Sequence, residues 1–554
     1  MHPPAPAFRR DLVLASLVAL CACSLPADYR GEADSDAYAI LERAHETVTG
    51  EVKSEPIGGF EGPLRHALTQ RIAAGEKPTL QLDIPQALDV AAENSRDFAR
   101  QKESLYRSAL SLTSARHDFE LRWGGGGSAD VSGVGDDNSS LRLSEDLSAS
   151  VRSPAGTRVV ASFANNLLKS LVHGGGWTES SVLGLNLTQP LLRGAGESVV
   201  REPLTQAERD VVYAVRSFER FRSTFAVDIV STYLGLLAQV RNIESQERNL
   251  KSVQRARAQI QKLFDAGRRQ IGDLDRAKQN ELSAQNNLLN AQNRLETALD
   301  SFKVQLGLPM DLQLTLDPKE LDRLAAIEVV DVELEVGQAV ALATERRYDL
   351  RTSRDRVEDA ARQVVVAEDA LNSTLDFSAA ISVPTEPGKA LVFDWSKVSW
   401  SAGFDLGLAL DKLSERNSYR TSFITLDERM RARDELQDQI VQQVRASLRD
   451  IGTRVQNWNI QQESVKVAER RVDSNRKLYE AGRASALDLL DAEDALLSAD
   501  LGLTSATVDY ATSKLRLLRD LEGLAVEPKG LRYDPTLPIP SGPQETKDAK
   551  RAQR

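Results

Sequence analysis

Two periodicities divide the chain. No proline lies between Pro203 and Pro309, or between Pro387 and Pro528. In the first of these stretches Val211, Val215, Phe218, Phe225, Ile229, Leu236, Val240, Ile243, Leu250 and Val253 recur at steps of three, four and seven. Such spacing makes a narrow apolar seam, the mark of helices packed along their length. At 1.5 Å rise per residue, a helix from Leu204 to Phe264 is about 90 Å long, too long for a compact domain. The second periodicity is two. Leu375, Phe377, Ala379, Ile381 and Val383 alternate with Asp376, Ser378, Ala380 and Ser382. Val398, Trp400, Ala402, Phe404, Leu406, Leu408 and Leu410 alternate in the same way with Ser399, Ser401, Gly403, Asp405, Gly407, Ala409 and Asp411. Alternation of this length predicts strands with lipid on one face and water on the other. Trp400 suits an interfacial aromatic belt. Leu141–Val151, Arg158–Leu167 and Val182–Gln189 offer comparable strands earlier in the chain.

The two patterns occur twice, in the same order. Leu82-Asp-Ile-Pro-Gln-Ala-Leu opens one half and Leu334-Glu-Val-Gly-Gln-Ala-Val opens the other. Lys262–Ala277, KLFDAGRRQIGDLDRA, returns 215 positions later as Lys477–Ala492, KLYEAGRASALDLLDA. Each copy reads as helix, glycine-centred turn and helix, since glycine takes positive φ without a Cβ clash. The predicted organisation is a signal segment over 1–22, an N-terminal tether over 23–81, repeats over 82–333 and 334–526, and a polar tail over 527–554 without order. In the tether, Ala37–His45 forms a short helix and Glu51–Pro63 an extended stretch. Gly124–Gly127 reads as a flexible loop.

Strand number then bears on assembly. Two strands per half make four per chain, with an extra hairpin around Pro154-Ala-Gly156 as an alternative. Four strands cannot close a membrane barrel, and an open edge in lipid leaves backbone groups unpaired. Several chains must therefore share one barrel; three copies give twelve strands. A coiled-coil structural or surface lipoprotein is the competing reading. It explains the helical seams but has no need of two alternating β regions.

Composition narrows the function. The net charge of −11 opposes nucleic acid as a partner, because a phosphate-binding surface needs basic excess. The only cysteines, Cys21 and Cys23, stand at the extreme N-terminus, so the body has no disulfide framework. No phosphate loop, His-Glu-x-x-His or Gly-x-Ser-x-Gly occurs, and no enzyme, metal site or cofactor is expected. Arg9-Arg10 followed by apolar Leu12–Ala22 reads as a signal segment too short to span a bilayer. Its end, Leu20-Cys21-Ala22-Cys23, resembles a lipobox with Cys23 as the acylated residue; secretory cleavage near Ala22 is the alternative.

Taken together, the openers, the turn copies and Leu185-Asn-Leu-Thr-Gln-Pro-Leu-Leu-Arg-Gly194 resemble the TolC family of outer-membrane efflux channels over Leu82–Leu524. The second half departs at Leu408-Ala-Leu-Asp-Lys412, which lacks the Pro-Leu often found there, and Gly-rich runs enlarge the first β region. The resemblance implies a fold of long helical hairpins forming a periplasmic α-barrel, joined to a trimeric twelve-stranded outer-membrane β-barrel. It further implies passive conduction, with a periplasmic adaptor and an inner-membrane pump as partners. Ala266, Gly267 and Arg268, with Ala481, Gly482 and Arg483, would form the adaptor-docking tip. Asp488 and Asp491, three residues apart and so on one helical face, with Asp273 in the first copy, would form acidic rings at a periplasmic gate. The plain alternative is that these carboxylates complement the helix macrodipole.

Overall fold

The computed structural model describes residues 26–51, 62–134, 138–171, 177–326, 329, 332, 334–386, 389, 391–481, 483–527 and 530–534. The signal segment, Cys23 and Gly482 lie outside these residues. Two compact units emerge. One takes residues up to Pro56 with Ser104–Val215 and Ser353–Arg433; the other takes Ile57–Glu103, Arg216–Thr352 and Asp434 onward. In chain order the elements are α1 (Pro26–Thr49), α2 (Pro63–Ala73), β1 (Thr79–Leu82), α3 (Ile84–Asn94) and α4 (Arg96–His117). Four strands follow: β2 (Arg122–Val134), β3 (Asn138–Arg152), β4 (Arg158–Ser170) and β5 (Thr178–Pro190). A short α5 (Glu197–Val200), α6 (Glu202–Asp265), α7 (Ile271–Leu306), β6 (Gln313–Leu316) and α8 (Pro318–Ala325) complete the first repeat. The second contains α9 (Val336–Arg346), α10 (Tyr348–Asp369), β7 (Thr374–Pro384), β8 (Ser399–Gly407), α11 (Leu413–Glu480) and α12 (Ala486–Asp520), and closes with β9 (Leu524–Glu527) and β10 (Gly530–Tyr533).

The first unit is organised by one antiparallel sheet with strand order β2-β3-β4-β5-β7-β8. It has six strands: the hairpin around Pro154-Ala-Gly156, the alternative to four strands per chain, is present as β3–β4. The strand not foreseen is β2, where Gly124–Gly127, read from sequence as a flexible loop, pairs with Glu145–Ser148 of β3. Register explains the stability of this arrangement. Trp123, Ala149, Ala161, Leu185, Ile381 and Trp400 form one cross-strand row. The next row is Gly124, Ser148, Ser162, Gly184, Ser382 and Ser399. Apolar side chains therefore predominate on one face of the sheet and small or polar ones on the other, except where the row Gly127, Glu145, Asn165 and Ser181 crosses the apolar face. Much of the apolar face is uncovered, Trp123 being 70% and Trp400 77% exposed. Strand β8 ends at Gly407, so the alternation that continues to Asp411 in the sequence is not strand throughout. Helix α1 also belongs to this unit and is longer than Ala37–His45. It docks through Asp34, which accepts a 2.6 Å hydrogen bond from Tyr106 Oη. Burial and the Asp34 charge push that phenol up to about 12.

Polar ties fix the helices where they meet the sheet. Gly194 N donates to Asp369 Oδ2 at 2.7 Å, and Lys412 Nζ donates to the Leu371 carbonyl at 2.7 Å. Nearby, Asp359 receives Tyr213 Oη at 2.6 Å and lies 2.6 Å from Arg209 Nε, while Arg362 bridges Asp359 and Glu202, each at 2.9 Å. Burial raises the Tyr213 pKa, so the hydroxyl stays a donor to the carboxylate.

The second unit contains the helical hairpins and the link between repeats. Strand β1 pairs in parallel with β6, Leu82 opposite Leu316. Asp83 caps α3 in a reciprocal capping box with Gln86. Gly307 takes φ +74° and passes so close to Asn94 that a Cβ would stand 2.0 Å from its carbonyl oxygen, which explains glycine there. In the return helices Ala277, Ala284 and Ala291 of α7, and Ala492, Ala499 and Ala506 of α12, are all buried at seven-residue steps. Small residues at heptad spacing let neighbouring helices approach closely. Among the described residues α6 alone contains a window long and apolar enough to cross a membrane; half of that window is buried within the fold, as in any core helix. At the chain's end β9 and β10 pair antiparallel, so Gly530–Tyr533 is strand rather than the start of an unordered tail; 535–554 lies outside the described residues.

Tyr233, fully buried, anchors this link: its hydroxyl donates to the Leu82 carbonyl at 2.8 Å, and its ring meets Phe302 edge-on at 6.3 Å. We expect Phe302→Ala to cost about 3–5 kcal/mol through the cavity it leaves. Tyr233→Phe should cost about 1 kcal/mol, because Asp317 N also donates to that carbonyl. Thermal unfolding of the purified variants checks the ranking; a larger loss for Tyr233→Phe would show that the hydroxyl, not packing, holds the link.

Candidate functional site

The two helical hairpins reverse through turns that share one closing hydrogen bond. At the end of α6 the Gly267 N–H bonds to Phe264 O and the Arg268 N–H to Leu263 O, both at 2.8 Å, with Gly267 at φ +72°. This double closure is the Schellman ending, which requires a left-handed residue. At the end of α11 the Arg483 N–H bonds to Leu478 O, again at 2.8 Å. Ala266, Gly267, Arg268, Ala481 and Arg483 are all exposed. No Cβ neighbour lies within 4 Å of Gly267, so the glycine serves backbone conformation alone.

The return helices differ at their starts. Gln270 caps α7 without a side-chain bond, whereas Ser485 caps α12 in a capping box with Asp488. Ser485 donates to Asp488 Oδ2 from its backbone N–H at 2.8 Å and from its hydroxyl at 2.7 Å. These bonds, helped by the Arg269 charge, hold the Asp488 carboxyl below the usual carboxylate range. Arg269 belongs to the first turn, so the two turns lie within electrostatic reach. Asp273, the counterpart of Asp488, is half-buried with Arg269 Nη1 3.8 Å from its carboxylate. Asp491 is exposed one turn further along α12. Burial pushes Asp494 up despite a 3.1 Å bond from Asn249, and the Asp491 and Glu493 charges push it further.

Packing brings the hairpins together beneath the turns. Ile260, Ala277 and Ala486 form one buried cluster, flanked by Leu274 and Tyr479; Val253, Ala256, Ala284 and Leu490 form the next. Tyr479 Oη donates to Gln259 at 3.0 Å, and Ser252 of α6 bonds to Glu493 of α12. The eight described turn and acidic positions, Ala266, Gly267, Arg268 and Asp273 with Ala481, Arg483, Asp488 and Asp491, are thus on hairpins packed against each other, with Arg269, Ser485 and Asp494 as additions. The Ser-x-x-Asp capping pattern at 485–488 was legible in the sequence; Asp494 became visible only through its contact with Asn249.

A protein-family model described as outer membrane efflux protein matches residues 149–308 and 339–521, more than half of the chain. A search of curated proteins by sequence finds no match. Among solved structures, the fold is similar to the outer membrane protein VceC of Vibrio cholerae, at 18% identity and TM-score 0.58, covering 79% of this chain and 95% of that one. It is also similar to the CmeC outer membrane channel of Campylobacter jejuni, at 14% identity, TM-score 0.59 and coverage of 85% and 89%. The open-state MtrE outer membrane channel of Neisseria gonorrhoeae matches at 14% identity and TM-score 0.54, with coverage of 79% and 88%.

The conformational demand at Gly267 is testable by comparing two substitutions. Gly267→Val should destabilise the turn by about 1–3 kcal/mol, since a β-branched residue rarely takes this φ. Gly267→Asn should be tolerated, because asparagine visits the left-handed region. Limited proteolysis around Asp265–Gln270 reads the outcome; equal cleavage of both variants would show that the turn does not depend on positive φ.

Proposed function

The chain belongs to the outer membrane efflux protein family, a family of channels, and we propose that it is the outer-membrane component of a tripartite efflux or secretion system. In this reading it is a homotrimer that conducts cargo passively from an inner-membrane pump through a periplasmic adaptor to the exterior. The observation that carries the reading is the sheet's largely apolar face on a chain whose other elements are two long hairpins with exposed turns. Such a face suits lipid, and strands of nine to fifteen residues reach across a bilayer. The Ala266–Arg268 and Ala481–Arg483 turns serve as the docking tip for the adaptor. Asp491, with Asp488 and Asp273, supplies the acidic rings of the periplasmic gate, where like charges in a narrow passage concentrate cations. Since the Asp488 carboxylate also closes a capping box, it has both the structural and the electrostatic role.

Lipidation at Cys23 anchors the chain on the periplasmic side of the outer membrane. Helix α1 begins three residues later at Pro26 and docks on α4. Cys23→Ala should abolish palmitate labelling; undiminished labelling would move the modification to another residue.

The gate yields two measurements in planar bilayers. Asp488→Ala/Asp491→Ala should remove cation preference and block by multivalent cations added from the periplasmic side; an unaltered channel would sink the acidic-ring assignment. The second concerns pH. A carboxyl with a depressed folded-state pKa gives stability present above its unfolded value and lost as pH falls through the folded one. Acidification should therefore neutralise Asp494 before Asp488. Ser485→Ala should bring the Asp488 step to higher pH, and an unmoved profile would show that Ser485 does not set that carboxylate.

A further inference from the structure

The sheet carries information about the barrel that its helices do not. Its terminal strands, β2 and β8, each have a neighbour on one side only. The apolar face extends into hairpin β2–β3: Trp123, Gly125, Ala129 and Val131 of β2 stand opposite Ala149, Leu147, Leu143 and Leu141 of β3, interrupted midway by Gly127 opposite Glu145. Those β3 residues in turn face Ala161, Phe163, Leu167 and Lys169 of β4. One polar row, Glu145, Asn165 and Ser181, crosses β3, β4 and β5 alike, so hairpin β2–β3 shares the pattern of its neighbours, polar row included. A hydrocarbon environment leaves no water to satisfy a free edge, at a cost of several kcal/mol for each unpaired group. Direction supplies the partner. Strand β2 leads away from the end of α4, and with six antiparallel strands β8 runs the opposite way, back toward α11. The free edges of two copies can thus pair antiparallel, continuing the ladder without a change of pattern.

The glycines of β2 fit this use. On the polar face a Cβ at Gly126 would lie 2.8 Å from Asp146 Oδ1, and one at Gly184 of β5 would lie 2.7 Å from Ser162 Oγ. Absent side chains relieve crowding where a sheet curves inward, and they admit close approach of another backbone.

From these observations we infer that β8 of one copy pairs with β2 of the next, so each copy contributes six strands and a threefold barrel has eighteen rather than twelve. The inference rests on the trimeric membrane-channel reading above. An eighteen-stranded barrel is about 1.5-fold wider than a twelve-stranded one, since diameter grows roughly in proportion to strand number.

Cysteine cross-linking of the full-length protein in outer membranes tests the pairing. Cysteines replacing Gly125 or Ala129 on β2 would be combined in turn with Ala402→Cys or Phe404→Cys on β8. Oxidation should give covalent trimers on a non-reducing gel for at least one combination. Cross-links from β8 to Ala161→Cys on β4, with every β2 combination silent, would mean that the ring closes without β2–β3 and would overturn the inference. Electron cryomicroscopy of the unmutated, detergent-solubilised assembly decides the matter independently of whether the variants fold. Eighteen strands and a ring about 1.5-fold wider than a twelve-stranded one are expected; a trimer with twelve strands would refute the pairing while leaving the channel intact. A detergent-free soluble monomer would instead defeat the channel reading itself.

Discussion

Backbone pairing in the absence of water is the constraint on which the rest depends. Peptide groups that face hydrocarbon must bond to one another, and a sheet satisfies this everywhere except at its edges. Within the chain five strand interfaces are complete, from β2–β3 to β7–β8. The two edges that remain, β2 and β8, are the ones the proposed assembly of several chains would pair. Side-chain pattern selects the environment, but it is the backbone that dictates closure.

The helices solve a different problem with the same economy of side chains. Seven-residue alanine seams in α7 and α12 permit close packing over many turns, and the α6–α12 bonds of Asn249 to Asp494 and Ser245 to Asp500 join the hairpin of one repeat to that of the other. Duplication thus survives in the backbone more faithfully than in chemistry. Both turns keep the same closing hydrogen bond, yet only the second return helix has a serine cap, and only there is a first-turn carboxylate bound by it.

Much of this was legible in the sequence, and the exceptions have physical causes. Proline-free heptad stretches exposed the long helices, and the repeated Ala-Gly-Arg located their reversals. Strands β7 and β8 stood out because large apolar residues alternate with serine, glycine and aspartate. Strand β2 was hidden because Gly125 and Gly127 occupy positions where the pattern calls for bulk; without side chains, periodicity has nothing to mark. Helix α1 was underestimated because its first half, Pro26–Asp36, is polar and gains order by docking through Asp34 rather than by an apolar face. The β9–β10 hairpin was missed for a related reason, since four-residue strands give too short a signal. At the tip, the turn and acidic residues could be named from spacing, whereas Arg269 acting across to Asp488 is a tertiary relation that spacing does not contain.

The sheet's open edges also have a genetic consequence. In the proposed trimer, a ring is only as sound as its least competent member, and a chain with intact edges can enter it whatever defect it has elsewhere. If half the chains in a cell were altered at the tip but still paired, about one ring in eight would contain only unaltered copies. If the turns dock the adaptor as proposed, lesions in them should behave dominantly, while lesions that destroy an edge would exclude their own chain and stay recessive.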